Sequence, residues 1–173
     1  MDCILIRHGI AVQREEWEGS DAERPLTEKG AKRMAQVAAG LKWLEVQPTH
    51  ILSSPLLRAV ETAKILQAVF SLRSAVRRVE ELVPDAAPER MLQLLHELPA
   101  KSCVLCVGHE PHLSLAASVM LTGKPSAAFP FKKGGACLME LPGSPNPGHA
   151  ILRWWMEPGQ LRVFGKKQAR TEV

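Results

Sequence analysis

Three polar segments, each directly after a short apolar run, carry side chains suited to binding and transferring an anionic group. They are Arg7-His8-Gly9, Ser53-Ser54-Pro55-Leu56-Leu57-Arg58 and Gly108-His109-Glu110-Pro111. If the apolar runs are buried strands of a parallel sheet, the three segments meet at its carboxyl edge, where open α/β sheets bind ligands. Arginine forks match phosphoryl oxygens in pairs. The sequence therefore predicts a phosphoryl-binding site at this edge, with Arg58 near the positive end of a helix dipole.

A phosphoryl-transfer reaction at this site needs a nucleophile, and four side chains could supply it. The candidates are His8, His109, Ser53 and Ser54. Neither serine has an obvious dedicated base. An imidazole among arginines, in contrast, has its pKa lowered by like charge, so its neutral, attacking form is populated near pH 7. Histidine is therefore the preferred nucleophile.

The same segments offer poor ligands for a metal. Glu110 is their only acidic residue, whereas magnesium-dependent phosphoryl transfer needs several oxygen ligands. Cys103 and Cys106 have zinc-knuckle spacing, but residues three apart on a strand point to opposite faces. His109 and His112 could share a helix face, yet no third ligand stands out. We expect a reaction without a metal or another cofactor.

The elements that must position these residues alternate between strand and helix patterns. Helical apolar spacing follows a predicted Thr27 N-cap, and again follows Ser54, which could cap a helix that Pro55 begins. A third strand is predicted over Val76–Leu82, and a hairpin around the turn-rich loop 142–148. The expected fold is α/β, a three-layer α/β/α sandwich whose mostly parallel sheet ends in a C-terminal antiparallel hairpin.

Length and composition indicate one ordinary globular domain. The chain has 173 residues, 46% of them hydrophobic and 23% charged. We predict a domain over residues 1–158 and a basic tail over 159–173, which contains Arg162, Lys166, Lys167 and Arg170. The tail is expected to be solvated rather than bound to nucleic acid, because no recognition motif accompanies it.

The predicted compartment is the cytoplasm. No apolar run approaches the roughly 20 residues that span a bilayer, and the first residues lack the basic opening of a signal peptide. The four cysteines lie within apolar segments, so we expect buried, reduced thiols rather than a disulfide framework. Neither a membrane nor a nucleic acid is an expected partner.

The motifs, taken together, resemble those of the histidine phosphatase superfamily, whose fold is called phosphoglycerate mutase-like. Order and spacing match for Arg7-His8-Gly9, for Arg24-Pro25-Leu26-Thr27 with Gly30, for Ser53-Ser54-Pro55 with Arg58-Ala59 and Thr62-Ala63, and for Gly108-His109 with Pro111. The short chain, and Trp155-Met156 with Pro158, resemble the small phosphohistidine phosphatase branch, the SixA type. The resemblance covers about residues 1–158.

The resemblance implies roles for individual residues. His8 would take the phosphoryl group, and water would then release phosphate. Arg7, Arg58 and His109 would hold the phosphoryl oxygens, and the matching motifs place Gly9, Arg24 and Ser54 beside them. Larger relatives protonate the leaving group with an acidic residue from an inserted region. Glu81 is the nearest match here, Glu80 is its alternative, and a purely surface role for Glu81 is equally open.

The expected activity is hydrolysis of phosphohistidine on a protein, such as a phosphotransfer domain, in signal transduction. A chain this short leaves the pocket open, which favours a protein substrate over an enclosed small molecule. Hydrolysis of a small phosphoester is the alternative within the same chemistry. A non-catalytic module that binds phosphate or a similar anion is the second alternative, but binding alone would not require His8 as a nucleophile.

Overall fold

The computed structural model describes residues 1–171, with side chains through Gln168. Six strands and five α-helices follow one another along these residues. The strands are β1 (Asp2–Arg7), β2 (His50–Ser53), β3 (Arg77–Arg78), β4 (Cys103–Gly108), β5 (Ala136–Glu140) and β6 (Ile151–Met156). The helices are α1 (Glu28–Trp43), α2 (Leu57–Phe70), α3 (Pro88–His96), α4 (His112–Thr122) and α5 (Pro158–Thr171).

The strands form one sheet in the order β3-β2-β4-β1-β5-β6. The first four in this order are parallel, and β5 and β6 continue the sheet antiparallel as the predicted hairpin. Cys3–Ile6 and Val104–Val107 are fully buried because helices cover both faces of the sheet. The register pairs Arg7 with Gly108 and Ser53 with Val107, so the three polar segments of the sequence leave the sheet side by side.

Helices on the two faces complete the predicted three-layer sandwich. One face of the sheet packs against α1, α2 and α5, through residues such as Met34, Leu66 and Leu161. The other face packs against α3 and α4, through residues such as Met91 and Leu113. Apolar side chains at helical spacing therefore point to the sheet, as the sequence pattern predicts.

Two local predictions for the first half of the chain have different outcomes. Thr27 is the N-cap of α1, since its hydroxyl accepts a hydrogen bond from the Gly30 N–H at 2.9 Å. Ser54 does not cap α2, which begins at Leu57. Its hydroxyl is instead shared between the Leu56 N–H, at 3.3 Å, and the ring of His109.

The predicted third strand over Val76–Leu82 is wrong in its extent. Only Arg77–Arg78 pairs, at the exposed edge of the sheet, and Glu80–Leu82 forms a 3-10 turn. Val79 and Leu82 are buried, while Arg77 and Arg78 are exposed. Apolar residues three positions apart can be buried together by a turn, but they would face opposite sides of a strand.

The C-terminal segment is also different from the predicted tail. Residues Pro158–Thr171 form α5, which packs against α1 and buries Leu161 completely. The described part of this segment is therefore a helix of the domain rather than a solvated extension. The side chain of Arg170 and residues 172–173 lie outside the described residues.

Two further findings concern the chain as a whole. Within its described residues, no helix is both long and apolar enough to cross a membrane. All four cysteines carry free thiols, and Cys3, Cys106 and Cys137 are buried in the core.

Candidate active site

His8 directly follows β1 and is held at the carboxyl edge of the sheet. Its N–H donates to the Gly108 carbonyl at 3.0 Å, and its ring Nδ1 lies 2.7 Å from the carbonyl oxygen of Gly9. Because a carbonyl only accepts, Nδ1 carries the hydrogen and Nε2 carries the lone pair. Burial lowers the pKa of His8 to about 3, with help from the charges of Arg58, Arg7 and Lys133. The imidazole is therefore neutral at pH 7 and has a lone pair available for attack.

His109, after β4, lies beside His8. The two ring centroids are 4.8 Å apart. His109 Nε2 lies 2.9 Å from the hydroxyl of Ser54, which can accept from the Leu56 N–H and at the same time donate its own hydrogen to Nε2. The ring hydrogen then sits on Nδ1, a buried atom with no partner in the described chain. Burial, followed by the effects of the neighbouring His8 and Arg58, lowers the pKa of His109 to about 2, so this ring is neutral as well.

Arg7 and Arg58 each keep one buried donor without a protein partner. Arg7 donates from Nη1 to the Phe131 carbonyl at 2.6 Å, and its Nε has no partner among the described residues. Arg58 Nη1 donates to the Asp21 carbonyl at 2.8 Å, and Nη2 pairs with the Asp21 carboxylate at 2.9 Å. The Nε of Arg58 also has no partner among the described residues. Buried donors are almost always satisfied in folded proteins. The charges of both arginines act on His8 and His109, so these two donors and His109 Nδ1 belong to one neighbourhood, which suits an oxyanion.

Gly9 contributes through its backbone. Its N–H donates to Thr62 Oγ1 at 3.0 Å, which ties the segment after β1 to α2. A Cβ at this position would lie 2.6 Å from Met34 Cγ, so the chain can pass here only without a side chain. Gly9 therefore positions His8.

Arg24 reaches this group of cations through Asp21. Its Nε donates to the Asp21 carboxylate at 2.9 Å, and its Nη1 donates to the Val12 carbonyl at 2.7 Å. Burial acts to raise the pKa of Asp21, but Arg24 and Arg58 outweigh it and hold that pKa below its ordinary value. The structure thus brings Arg24 beside Arg58, with a carboxylate between their charges.

Glu81 is engaged elsewhere. It lies in the 3-10 turn after β3, and its carboxylate forms an ion pair with Arg90 at 2.9 Å. Glu80, its alternative, is exposed. Neither carboxylate makes a hydrogen bond with His8, His109 or the two arginines of the site among the described contacts.

Two site residues were not predicted from the sequence. Asp21 orients Arg58, but it sits in an irregular polar stretch without periodicity. Partial burial, and then the charges of Arg7, Arg24 and Arg58, lower the pKa of Lys133. The Lys133 ammonium therefore lies near these three arginines. A signal for Lys133 did exist: it shortly precedes β5, and a strand antiparallel to β1 must begin where β1 ends.

No group of three or more His, Cys, Asp or Glu side chains within the described chain is placed to hold a metal ion.

Comparison with known proteins assigns the family. The profile described as "Histidine phosphatase superfamily (branch 1)" matches residues 3–83, which include Arg7, His8 and Arg58. An uncharacterized protein of Picosynechococcus is 35% identical over 137 residues, which cover 78% of this chain and 82% of the relative. The chain belongs to the histidine phosphatase superfamily. Proteins named SixA are further matches, one among the sequences and three among the structures.

The SixA matches extend over nearly the whole chain. Phosphohistidine phosphatase SixA of Escherichia coli is 25% identical over 165 residues, 94% of this chain and 98% of that protein. The structure of the protein histidine phosphatase SixA complexed with tungstate has a TM-score of 0.81 and 27% identity, and the match covers 93% of this chain and 99% of that one. These matches confirm the predicted fold and the SixA-type branch. They also support the prediction that the protein is a phosphatase.

Proposed function

We propose that the protein hydrolyses phosphohistidine on a protein substrate, with His8 as the nucleophile. One observation carries the proposal: a neutral, buried His8 lies among buried donors that lack protein partners, while Glu81, the acid that the family resemblance suggests, is paired with Arg90. The site is thus equipped to bind and accept a phosphoryl group but not to protonate a poor leaving group. The similarity to SixA supports the same activity.

In the first step, His8 Nε2 attacks phosphorus. The new bond between Nε2 and phosphorus forms as the phosphorus–nitrogen bond of the substrate breaks, and that electron pair stays on the substrate imidazole. Arg7 Nε, Arg58 Nε and His109 Nδ1 donate to the three non-bridging oxygens. Fixed donors of this kind, shielded from water, stabilise transition-state charge without reorganising. The Nδ1–H of His8, held on the Gly9 carbonyl, keeps the ring oriented.

In the second step, water attacks the phosphorus of the phosphorylated enzyme. The oxygen–phosphorus bond forms, the Nε2–phosphorus bond breaks, and the lone pair returns to Nε2 of His8. The water gives up one proton to solvent or to the departing phosphate. The charges of Arg7, Arg58 and Lys133 around His8 favour the anionic phosphoryl group in both steps.

The leaving group distinguishes phosphohistidine from a phosphoester. An ester leaves as an alkoxide and gains much from a general acid. A phosphohistidine that is protonated on its second ring nitrogen leaves as a neutral imidazole and needs no acid from the enzyme. Because Glu81 is bound to Arg90, the site fits the second kind of leaving group better.

The covering over the site favours a large substrate. The segments that leave this edge contain only the 3-10 turns Arg14–Glu16, Asp21–Glu23 and Glu80–Leu82, and the described chain inserts no further domain there. Small molecules are usually held in enclosed clefts. A histidine on the surface of another protein could reach an edge of this kind.

The proposal is tested by comparing kcat/KM for a phosphohistidine-bearing protein with kcat/KM for a panel of small phosphomonoesters. We expect the phosphoprotein to give the highest value and His8→Ala to remove activity on every substrate. A clear preference for a phosphomonoester would assign the protein to small-molecule hydrolysis instead. Phosphate binding without turnover of any substrate would leave only a binding module.

A further inference from the structure

A groove with a volume of about 510 Å³ lies between the first half of α1 and helix α5. Basic side chains dominate its lining. Its five cations are Lys29, Lys32, Arg33, Arg162 and Lys166. Glu28 is the one carboxylate of the lining and is paired with Lys32 at 2.6 Å. We call this surface the basic groove.

The groove follows from the way in which the two helices pack. A Cβ at Gly165 would lie 2.2 Å from the Gln36 carbonyl oxygen, and one at Gly40 would lie 2.0 Å from that of Leu161. The backbones therefore approach closely only because both positions are glycine. The basic residues recur three and four positions apart along each helix, so they face the same side.

The charge of the basic groove is largely uncompensated. Lys29, Arg33 and Lys166 form no ion pair with any side chain that the structure describes. Arg162 donates to the Pro158 carbonyl at 3.2 Å, which leaves its charge intact. A surface with a strong excess of one sign attracts a partner of the other sign and speeds their encounter.

The basic groove borders a small crevice near the active site. A narrow crevice is lined by Gly9 and Lys133 at the active-site side and by Arg33 and Arg162 at the other. Arg33 and Arg162 also line the basic groove. The crevice holds only about 40 Å³, too little for a peptide, but the residues it shares with the groove bring a molecule bound along α1 and α5 close to Gly9 and Lys133.

We propose that the basic groove docks an acidic segment of the same protein that presents the phosphohistidine to His8; this inference rests on the proposed function. Lys29, Lys32 and Lys166 are exposed and spread along two helices, which suits an extended acidic chain better than a compact anion. Val163, with 56% of its surface exposed, adds an apolar contact beside the charges. Docking would then select substrates by charge, apart from the chemistry at phosphorus.

Two phosphohistidine peptides of equal length test the proposal, one flanked by glutamates and the other by lysines. p-Nitrophenyl phosphate serves as a substrate too small to reach the groove. The variant is Lys29→Glu with Lys166→Glu. Its matched control is Lys101→Glu with Lys124→Glu, which changes the net charge equally at exposed positions before β4 and after α4. Lys29→Arg with Lys166→Arg keeps the charge.

We expect the wild-type enzyme to prefer the glutamate-flanked peptide by roughly tenfold or more in kcat/KM, and the preference to shrink as salt is added. The groove variant should lose the preference while its rate on p-nitrophenyl phosphate stays unchanged. The control and the arginine variant should behave as the wild type does.

Four outcomes would overturn the docking proposal. If the groove variant keeps the preference, or if it loses activity equally on p-nitrophenyl phosphate, the groove does not select the substrate. If the wild type shows no preference, the acidic partner is wrong, although the proposed function stands. If the wild type hydrolyses p-nitrophenyl phosphate but neither peptide, the proposed function fails and the docking proposal fails with it.

Discussion

Arg58→Lys should separate the two tasks that Arg58 performs. The guanidinium uses Nη1 and Nη2 on Asp21 and keeps Nε for a ligand, so three nitrogens act at once. A lysine retains the charge but has a single nitrogen, which cannot hold Asp21 and a phosphoryl oxygen with the same geometry. We expect the ammonium to remain on the Asp21 carboxylate. The substrate then loses one transition-state donor.

The magnitudes follow from burial. Arg58 is only 4% exposed, and loss of a buried transition-state donor costs about 10² to 10³ in kcat, or about 2.7 to 4 kcal/mol. The side chain of Asp21 is 42% exposed and keeps its bond to Arg24, so solvent screening limits the loss of unfolding free energy to about 1 kcal/mol or less. The expected signature is a large fall in kcat with a small change in stability.

The assay measures kcat, KM and urea unfolding for the wild type, Arg58→Lys and Arg77→Lys. Arg77 is an exposed arginine that pairs with Glu97 at 2.8 Å, away from the site, so its replacement controls for a generic loss of an arginine ion pair. If Arg58→Lys kept the wild-type kcat, the fork of Arg58 would have no role in the reaction. If its unfolding free energy fell by several kcal/mol, the lost activity would report on folding instead.

Three further predictions address the acid, the metal and a histidine outside the mechanism. Glu81→Gln should leave kcat on a phosphohistidine substrate unchanged, because Glu81 is held by Arg90; a large fall would make it the general acid. Activity should persist in excess EDTA, since the clustered segments offer no metal-ligand set; loss that magnesium restores would contradict this. Burial lowers the pKa of His112 from 6.5 to about 4. Between these two pH values the unfolded chain binds a proton at His112 and the folded chain does not, so stability is lost as pH falls from about 6.5 toward 4. His112→Leu should reduce the drop in unfolding free energy between pH 7 and pH 5 by about 1 to 2 kcal/mol; urea denaturation curves that shift in parallel with the wild type would refute it.

The central strands and the helices beside them were predictable because their apolar patterns are local. Cys3–Ile6 and Val104–Val107 are short runs that only a strand covered on both faces can bury. The edges were less predictable. Charged residues dominate the composition of α5, so the sequence predicts a tail there. The position of this helix depends instead on the close approach of the backbones at Gly40 and Gly165, a tertiary contact that no local pattern reveals.

The site shows the same division. Arg7 ends a buried strand, and His8 and His109 each follow one, so topology alone brings them together, and Arg58 enters with the helix that follows β2. Asp21 reaches Arg58 through an irregular loop, whose path depends on contacts distant in sequence. The catalytic roles of these residues, and the cytoplasmic location, remain predictions that experiments must test.

Trapping the phosphorylated enzyme tests the central claim, that His8 Nε2 accepts the phosphoryl group. A phosphoramidate survives alkali and breaks down in acid, whereas a serine phosphate is stable in acid. Rapid quenching in alkali during turnover of a labelled substrate should leave acid-labile label on the peptide that contains His8. His8→Ala should abolish the label and nearly all hydrolysis, and His109→Ala should slow turnover while the label stays on His8. Label on Ser53, Ser54 or His109, or normal hydrolysis by His8→Ala, would contradict the account.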